Sequence, residues 1–233
     1  MFLYPAYWLL AGIMFVVGLV VSGRLKSKFK EYGEIPLTAG LSGKEVAEKM
    51  LRDNGIYDVQ VISADGYLTD HYNPAEKTVN LSPDVYEGRS ISSAAVAAHE
   101  CGHALQHATS YQMLGLRSAL VPIVQVSTTL SQWVILAGLG ILGFGYGNQV
   151  ILLIGIILFS ASTLFSVITL PVEYDASARG LRWMEASHLT SREEHDKAAD
   201  ALKWAARTYV VAAVSSVATL VFYILIFMNR NRN

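Results

Sequence analysis

The sequence predicts a predominantly α-helical membrane protein, with about four transmembrane helices and a small α+β unit on the cytoplasmic side. Three observations carry that reading. Mean hydropathy is positive. Charged residues make up only 16% of the 233-residue chain, well below the roughly 25% of a soluble domain. The charges also fall in blocks, since Asp, Glu, Lys and Arg are absent from residues 1–23, 118–172 and 208–229.

A membrane crossing needs about 20 predominantly apolar residues. Residues 1–23 therefore read as a transmembrane anchor, and residues 208–233 as a transmembrane helix with the short tail "NRNRN". Residues 118–172 have the length of a two-helix hairpin. Its turn is expected at "GFGYGNQ" (Gly143 to Gln149), where glycines and Asn148 interrupt the apolar run. Within the first arm, "PIVQVSTTLSQW" is polar enough either to leave the lipid or to face the protein interior. The anchor lacks the basic amino-terminal region of a signal peptide and is followed by "RLKSKFK", which favours a retained helix over a cleaved leader.

Orientation follows from the basic residues. Of 18 Lys and Arg, 10 lie in residues 24–117 and 6 in residues 173–207, and positive charge near helix ends favours the cytoplasmic side. Both charged segments are thus expected in the cytoplasm and both termini outside, although Arg230 and Arg232 argue against the last assignment. The net charge of −1 gives no sign of a nucleic-acid partner. The single cysteine, Cys101, excludes an internal disulfide framework and suits a reducing compartment.

In residues 24–117, "LSGKEVAEKMLRDNG" reads as a short helix. Ser42 is the N-cap, Glu45 completes a capping box and Gly55 is the stop. Val46, Ala47, Met50 and Leu51 fall on its apolar face. "YDVQVIS" alternates like a half-buried strand, and "LTDHYNPAEKTVNLS" reads as two short strands around an Asn-Pro turn. A further helix follows in "SISSAAVAAHECGHALQHATS", with Ser92 or Ser93 as its expected N-cap.

That helix carries the chemistry. On a helix, residues four apart share a face with Cβ atoms about 5–6 Å apart. His99 and His103 can therefore converge on one zinc at about 2.0–2.1 Å per bond. Glu100 follows the first histidine, giving His-Glu-x-x-His, in which the glutamate is a general base toward water at the metal. His107 continues the four-residue beat, but a rise of about 1.5 Å per residue sets it some 12 Å from His99, too far to share one tetrahedral centre. It is expected as a pocket-wall or hydrogen-bonding residue. Cys101, on another face, reads as a small buried residue.

A catalytic zinc needs a third protein ligand. Glu173 is the first ionisable residue after the 55-residue charge-free block. If Pro171 opens a helical extension, Glu173, Ala176, Ser177 and Gly180 share one face, and small residues there would admit close approach of the His99 helix. Asp175 is the substitute ligand. An ordinary interfacial carboxylate is the other reading of Glu173.

With "AAHECGHALQH" followed, after a hydrophobic hairpin, by "VEYDASARG", the chain resembles the YugP-like neutral zinc metallopeptidases, bacterial membrane proteins. The likeness covers nearly the whole length, with anchor, motif and hairpin in the same order. More distantly it is similar to the gluzincin membrane proteases of the HtpX type, whose third ligand opens a Glu-x-x-x-Asp helix. The resemblance implies a zincin-like catalytic unit with His99, His103 and Glu173 as zinc ligands and Glu100 as base. Here Ser177 stands four residues after Glu173 in place of Asp, so a hydroxyl or another group has to steady the ligand histidine.

The expected function is a zinc metalloendopeptidase of the cell membrane, multi-pass, with Zn2+ as cofactor and its active site on the cytoplasmic side. A peptide or membrane-protein substrate and the lipid bilayer are its expected partners; a homo-oligomer or a membrane-protein partner stays open. Residues 24–117 then form the catalytic segment and 173–207 the segment bearing the third ligand. Tyr174, His107 and Arg179 are candidates for the oxyanion donor. "KTVNLS" is a candidate edge strand for an extended substrate. The flanks "EGRSIS" and "QHATSYQM" make the motif helix too short and polar to span a membrane, which disfavours intramembrane proteolysis. A zinc-binding membrane scaffold in a quality-control complex is the non-enzymatic alternative, distinguished by four protein ligands closing the metal.

Overall fold

The computed structural model describes residues 5–66, 69–141 and 147–230. Among them the chain is mostly helical. In order it forms α1 (Pro5–Gly33), α2 (Gly43–Asp53), β1 (Gln60–Ser63), β2 (His71–Asn73), β3 (Thr78–Leu81), α3 (Pro83–Tyr86), α4 (Ile91–Ala108), α5 (Gln112–Gly138), α6 (Gln149–Ala186) and α7 (Arg192–Arg230). Four helices, α1, α5, α6 and α7, are long and apolar enough to cross a membrane. The chain divides into two compact units. One comprises Met1–Val20, Leu116–Leu170 and Thr208–Asn233, the other Val21–Gly115 and Pro171–Arg207.

The first unit is apolar. Ile135, Leu152, Ile156, Tyr223 and Ile226 form its core. Its ambiguous stretch resolves inward: Ser127 and Ser131 are buried, whereas Ile123, Val126, Leu130 and Trp133 on the other faces of α5 are exposed. Hydroxyls here bond within the protein, as a setting without water demands. The Ser216 hydroxyl donates to Thr163 Oγ1 at 2.8 Å, and Thr163 in turn donates to Phe159 O. The expected turn at Gly143–Gln149 lies outside the described residues over 143–146. From Gly147 onward, Asn148 Oδ1 accepts from the amides of Val150 and Ile151 and caps α6. Pro171 does not open a helix; it sits inside α6, which runs unbroken to Ala186. Proline deletes one rung of the helical ladder, and long membrane helices tolerate that loss.

The second unit has an ordinary packed core. Val46, Ala47, Met50 and Leu51 bury one face of α2 against α4. The capping box forms: Glu45 N donates to Ser42 Oγ and Ser42 N to Glu45 Oε2. Asn54 is the C-cap, and Gly55, at φ +70°, takes the left-handed turn that ends the helix. β3 lies between β1 and β2, parallel to β1 and antiparallel to β2. The expectation that "KTVNLS" offers a free edge therefore fails, because both edges of β3 are already paired. The open edges are those of β1 and β2. The α4 N-cap is Ser90, not Ser92 or Ser93, since Ser90 Oγ accepts from Ser93 N at 3.2 Å and Ser93 Oγ is turned to Asp84 O.

The start of α7 repeats the capping box. Glu194 Oε2 accepts from Ser191 N, and Oε1 accepts from Thr38 N, each at 2.7 Å. Burial alone would raise this carboxyl; the two backbone N–H groups outweigh it and hold the pKa down to about 2, against an ordinary 4.5. A depressed acid stabilises the fold above its unfolded pKa, and that contribution is lost as pH falls through the folded value. The expected loss runs from about pH 4.5 down to about 2. Glu194→Gln should lower stability at neutral pH by about 1–3 kcal/mol and flatten this acid limb. Thermal unfolding in detergent across that range checks both.

Candidate metal centre

α4 and α6 pack backbone against backbone where both sequences are small. A Cβ on Gly102 would fall 2.3 Å from Ala176 O, and one on Gly180 would fall 2.8 Å from Ala98 O. Glycine at each position permits this approach, which no side chain would allow. It delivers Glu173, on α6, to the histidines of α4.

Glu173 Oε2 lies 3.3 Å from His99 Nε2 and 3.6 Å from His103 Nε2. One donor atom from each of the three residues lies within 4.8 Å of the others. Donors around a tetrahedral zinc with bonds of about 2.0–2.1 Å are separated by about 3.3 Å. The separations of 3.3 and 3.6 Å are of that size. Two imidazoles and one carboxylate are also a donor set that suits zinc. Glu173 is 2% exposed and His103 is 7% exposed, so these two are shielded from bulk water, while His99 is partly exposed. Burial alone would lower the His103 pKa; the adjoining Glu173 carboxylate and the negative charge of Glu100 outweigh that and raise it.

The outer ring nitrogens also have partners. His99 Nδ1 is 3.0 Å from Ser177 Oγ, and His103 Nδ1 is 3.0 Å from Gln106 Oε1. Ser177 thus stands beside a histidine as the sequence allowed. Gln106 was not singled out by sequence reasoning. Its only local signal is its place one turn after His103, and its other partners, Val172 O and Asp175 Oδ2, lie 66 and 69 residues away in the chain.

Asp175 does not join the triad. Its Oδ2 accepts from Gln106 Nε2 and, at 2.6 Å, from Arg179 Nε. His107 is also elsewhere, its Nδ1 2.8 Å from the Tyr72 hydroxyl of β2. Arg179 is further engaged with Thr109 Oγ1 and lies over the Tyr111 ring, and Tyr174 is half exposed. Glu100 is buried beside His99 in α4. Cys101 is fully buried with its thiol pKa pushed up by burial, so it is an inert core residue.

Comparison with known proteins points the same way. Residues 7–228 match the model of a family described as "Putative neutral zinc metallopeptidase". The chain is 40% identical over 206 residues, covering 88% of its own length and 89% of the relative, to "Putative membrane protease YugP" of Bacillus subtilis (strain 168). No solved structure matches the chain. A family match over almost the whole length, a membrane protease relative and four membrane-length helices agree, and the chain belongs to the neutral zinc metallopeptidase family so described.

Proposed function

We propose that the protein is a membrane-bound zinc metalloendopeptidase working at the cytoplasmic membrane surface. The convergence of His99, His103 and Glu173 carries this reading. Zinc held there supplies a Lewis acid that acidifies water and polarises a peptide carbonyl. His99 and His103 present Nε2, and Glu173 presents a carboxylate oxygen. Among the described residues this His, Cys, Asp and Glu group has three members, the ligand number of catalytic rather than structural zinc. That favours the enzyme over the scaffold.

Glu100 takes a proton from the attacking water on its carboxylate and passes it to the leaving nitrogen. Ser177 Oγ accepts a hydrogen bond from His99 Nδ1–H, which leaves Nε2 turned toward Glu173. An extended peptide has an edge available on β2, whose Tyr72 is tied to His107 of α4; pairing along such an edge selects unstructured over folded substrates. Purified protein in detergent should cleave an unstructured peptide, lose that activity to a chelator and recover it with zinc. No cleavage under any of these conditions would sink the proposal.

The cytoplasmic placement rests on the basic residues of 24–117 and 173–207. Cysteine labelling of intact cells tests it cleanly, because Cys101 is buried and silent. Gly147 is a poor probe site: a Cβ there would meet Gly138 O at 2.5 Å. Asn148 is exposed, and losing its cap costs only about 1 kcal/mol. An impermeant maleimide should label Asn148→Cys and spare Lys77→Cys. The reverse pattern would invert the orientation and move the substrate pool to the other side.

A further inference from the structure

We infer that Gln106 is a positioning residue of the metal centre, fixing the His103 tautomer that leaves Nε2 free to bind metal. The inference rests on the zinc reading above. Gln106 is fully buried, and a buried amide needs partners for both N–H groups and for its oxygen. Nε2 lies 2.8 Å from Val172 O and 2.9 Å from Asp175 Oδ2. A backbone carbonyl and a carboxylate only accept. Turning the amide over would set Oε1 against both oxygens, so its orientation is forced.

Oε1 then faces His103 Nδ1 at 3.0 Å. An amide oxygen cannot donate, so Nδ1 carries the hydrogen. Neutral imidazole has a single ring N–H, and Nε2, 3.6 Å from Glu173 Oε2, keeps its lone pair. The hydrogen bonds run in one direction: His103 donates to Gln106, Gln106 donates to Asp175, and Arg179 holds Asp175 from the far side at 2.6 Å. Metal-bound histidines commonly donate their second nitrogen to a carboxylate, which orients the ring and strengthens the ligand. Here an amide is inserted between histidine and carboxylate. The same amide ties α4 to α6 through Val172 O, so one side chain both orients the ring and adds a hydrogen bond to the glycine-permitted contact of the two helices. Asp175, close to the site yet outside the triad, acquires a role as the anchor of this chain.

The test compares Gln106→Leu, Gln106→Glu and the double variant Gln106→Glu/Asp175→Asn in the full-length protein, purified in detergent. Zinc affinity is read by competition with a chromophoric chelator, and site geometry by the visible absorption of the cobalt(II)-loaded protein. Circular dichroism checks the fold. Gln106→Leu keeps the bulk and loses the hydrogen bonds, and should weaken zinc binding about 10–100-fold with an altered cobalt spectrum. Gln106→Glu should be as poor, because a carboxylate oxygen would face Val172 O and the Asp175 carboxylate. Adding Asp175→Asn removes the opposing negative charge and lets Nδ2 donate to that oxygen, giving up the Arg179 Nε contact made at the same atom. It should recover about tenfold, a coupling that a packing role does not produce.

Parent-like affinity in Gln106→Leu overturns the inference, as does a double variant no better than Gln106→Glu. If Gln106→Leu fails to fold, the comparison of Gln106→Glu with the double variant decides. Loss of zinc in Glu173→Ala beside parent-like Gln106→Leu overturns the role of Gln106 alone. Full zinc in Glu173→Ala overturns the metal centre, and this inference with it.

Discussion

Glu100→Gln is expected to slow peptide hydrolysis by about 10²–10⁴-fold while the protein keeps its zinc, because general-base contributions are of that size. A larger loss is expected if the same carboxylate also delivers the proton to the leaving nitrogen. The substitution conserves size at a buried position and removes only the capacity to accept a proton. Fold and metal content should therefore match the parent, and bound substrate should accumulate. His99→Ala is the contrasting case, since it takes away a donor to the metal and should lose zinc and activity together. Metal analysis beside a peptidase assay separates the two. Parent-rate cleavage by zinc-loaded Glu100→Gln would discard the base assignment. If neither protein cleaved any peptide and spectroscopy found four protein ligands on the zinc, the scaffold would take its place.

Glu173→Ala should strip the metal itself. The remaining pair of imidazoles is an incomplete site, and ligand loss is a direct loss of binding free energy. Asp175→Ala and His107→Ala should cost far less zinc. Asp175 is turned to Arg179 and Gln106, and His107 to Tyr72, so neither offers an atom to the group formed by His99, His103 and Glu173. Zinc content after dialysis, compared across the three variants, is the measurement. Full occupancy in Glu173→Ala would show that another residue supplies the third ligand.

Features set by neighbours in the chain were readable beforehand. The Ser42–Glu45 capping box and the apolar face of α2 depend on spacings of three and four residues, and both formed as expected. The four long apolar helices followed from where charge is missing. The proximity of Glu173 to the histidines was suggested by its place as the first ionisable residue after a long uncharged stretch, with small residues on the same face. Strand order was not readable, because "KTVNLS" has the same pattern whether it lies at an edge or in the middle. The cap of α4 falls at Ser90 because Ser92 and Ser93 are already helical, and with three serines so close the pattern alone does not say where the extended backbone ends. Gln106 escaped notice for a related reason. A glutamine on a helix has no distinctive spacing, and its significance comes from Val172 and Asp175, which are remote in sequence.

The glycine-mediated contact of α4 with α6 joins residues that leave the ribosome at different times. Seventy residues separate His103 from Glu173, which at roughly 5–20 residues per second is a delay of about 4–14 s. Under the assignment of Glu173 as ligand, the growing chain meanwhile holds a base and two imidazoles but no complete metal site. On the proposed function, its own unfolded segments and those of neighbouring nascent proteins would be spared. If residues 118–172 cross twice, as the charge-free stretch implies, the third donor arrives only after the chain has entered and re-emerged from the bilayer. A molecule that made one crossing there instead of two would leave Glu173 on the far side from His99, permanently inert. On the proposed function and topology, activity would be confined to correctly threaded copies.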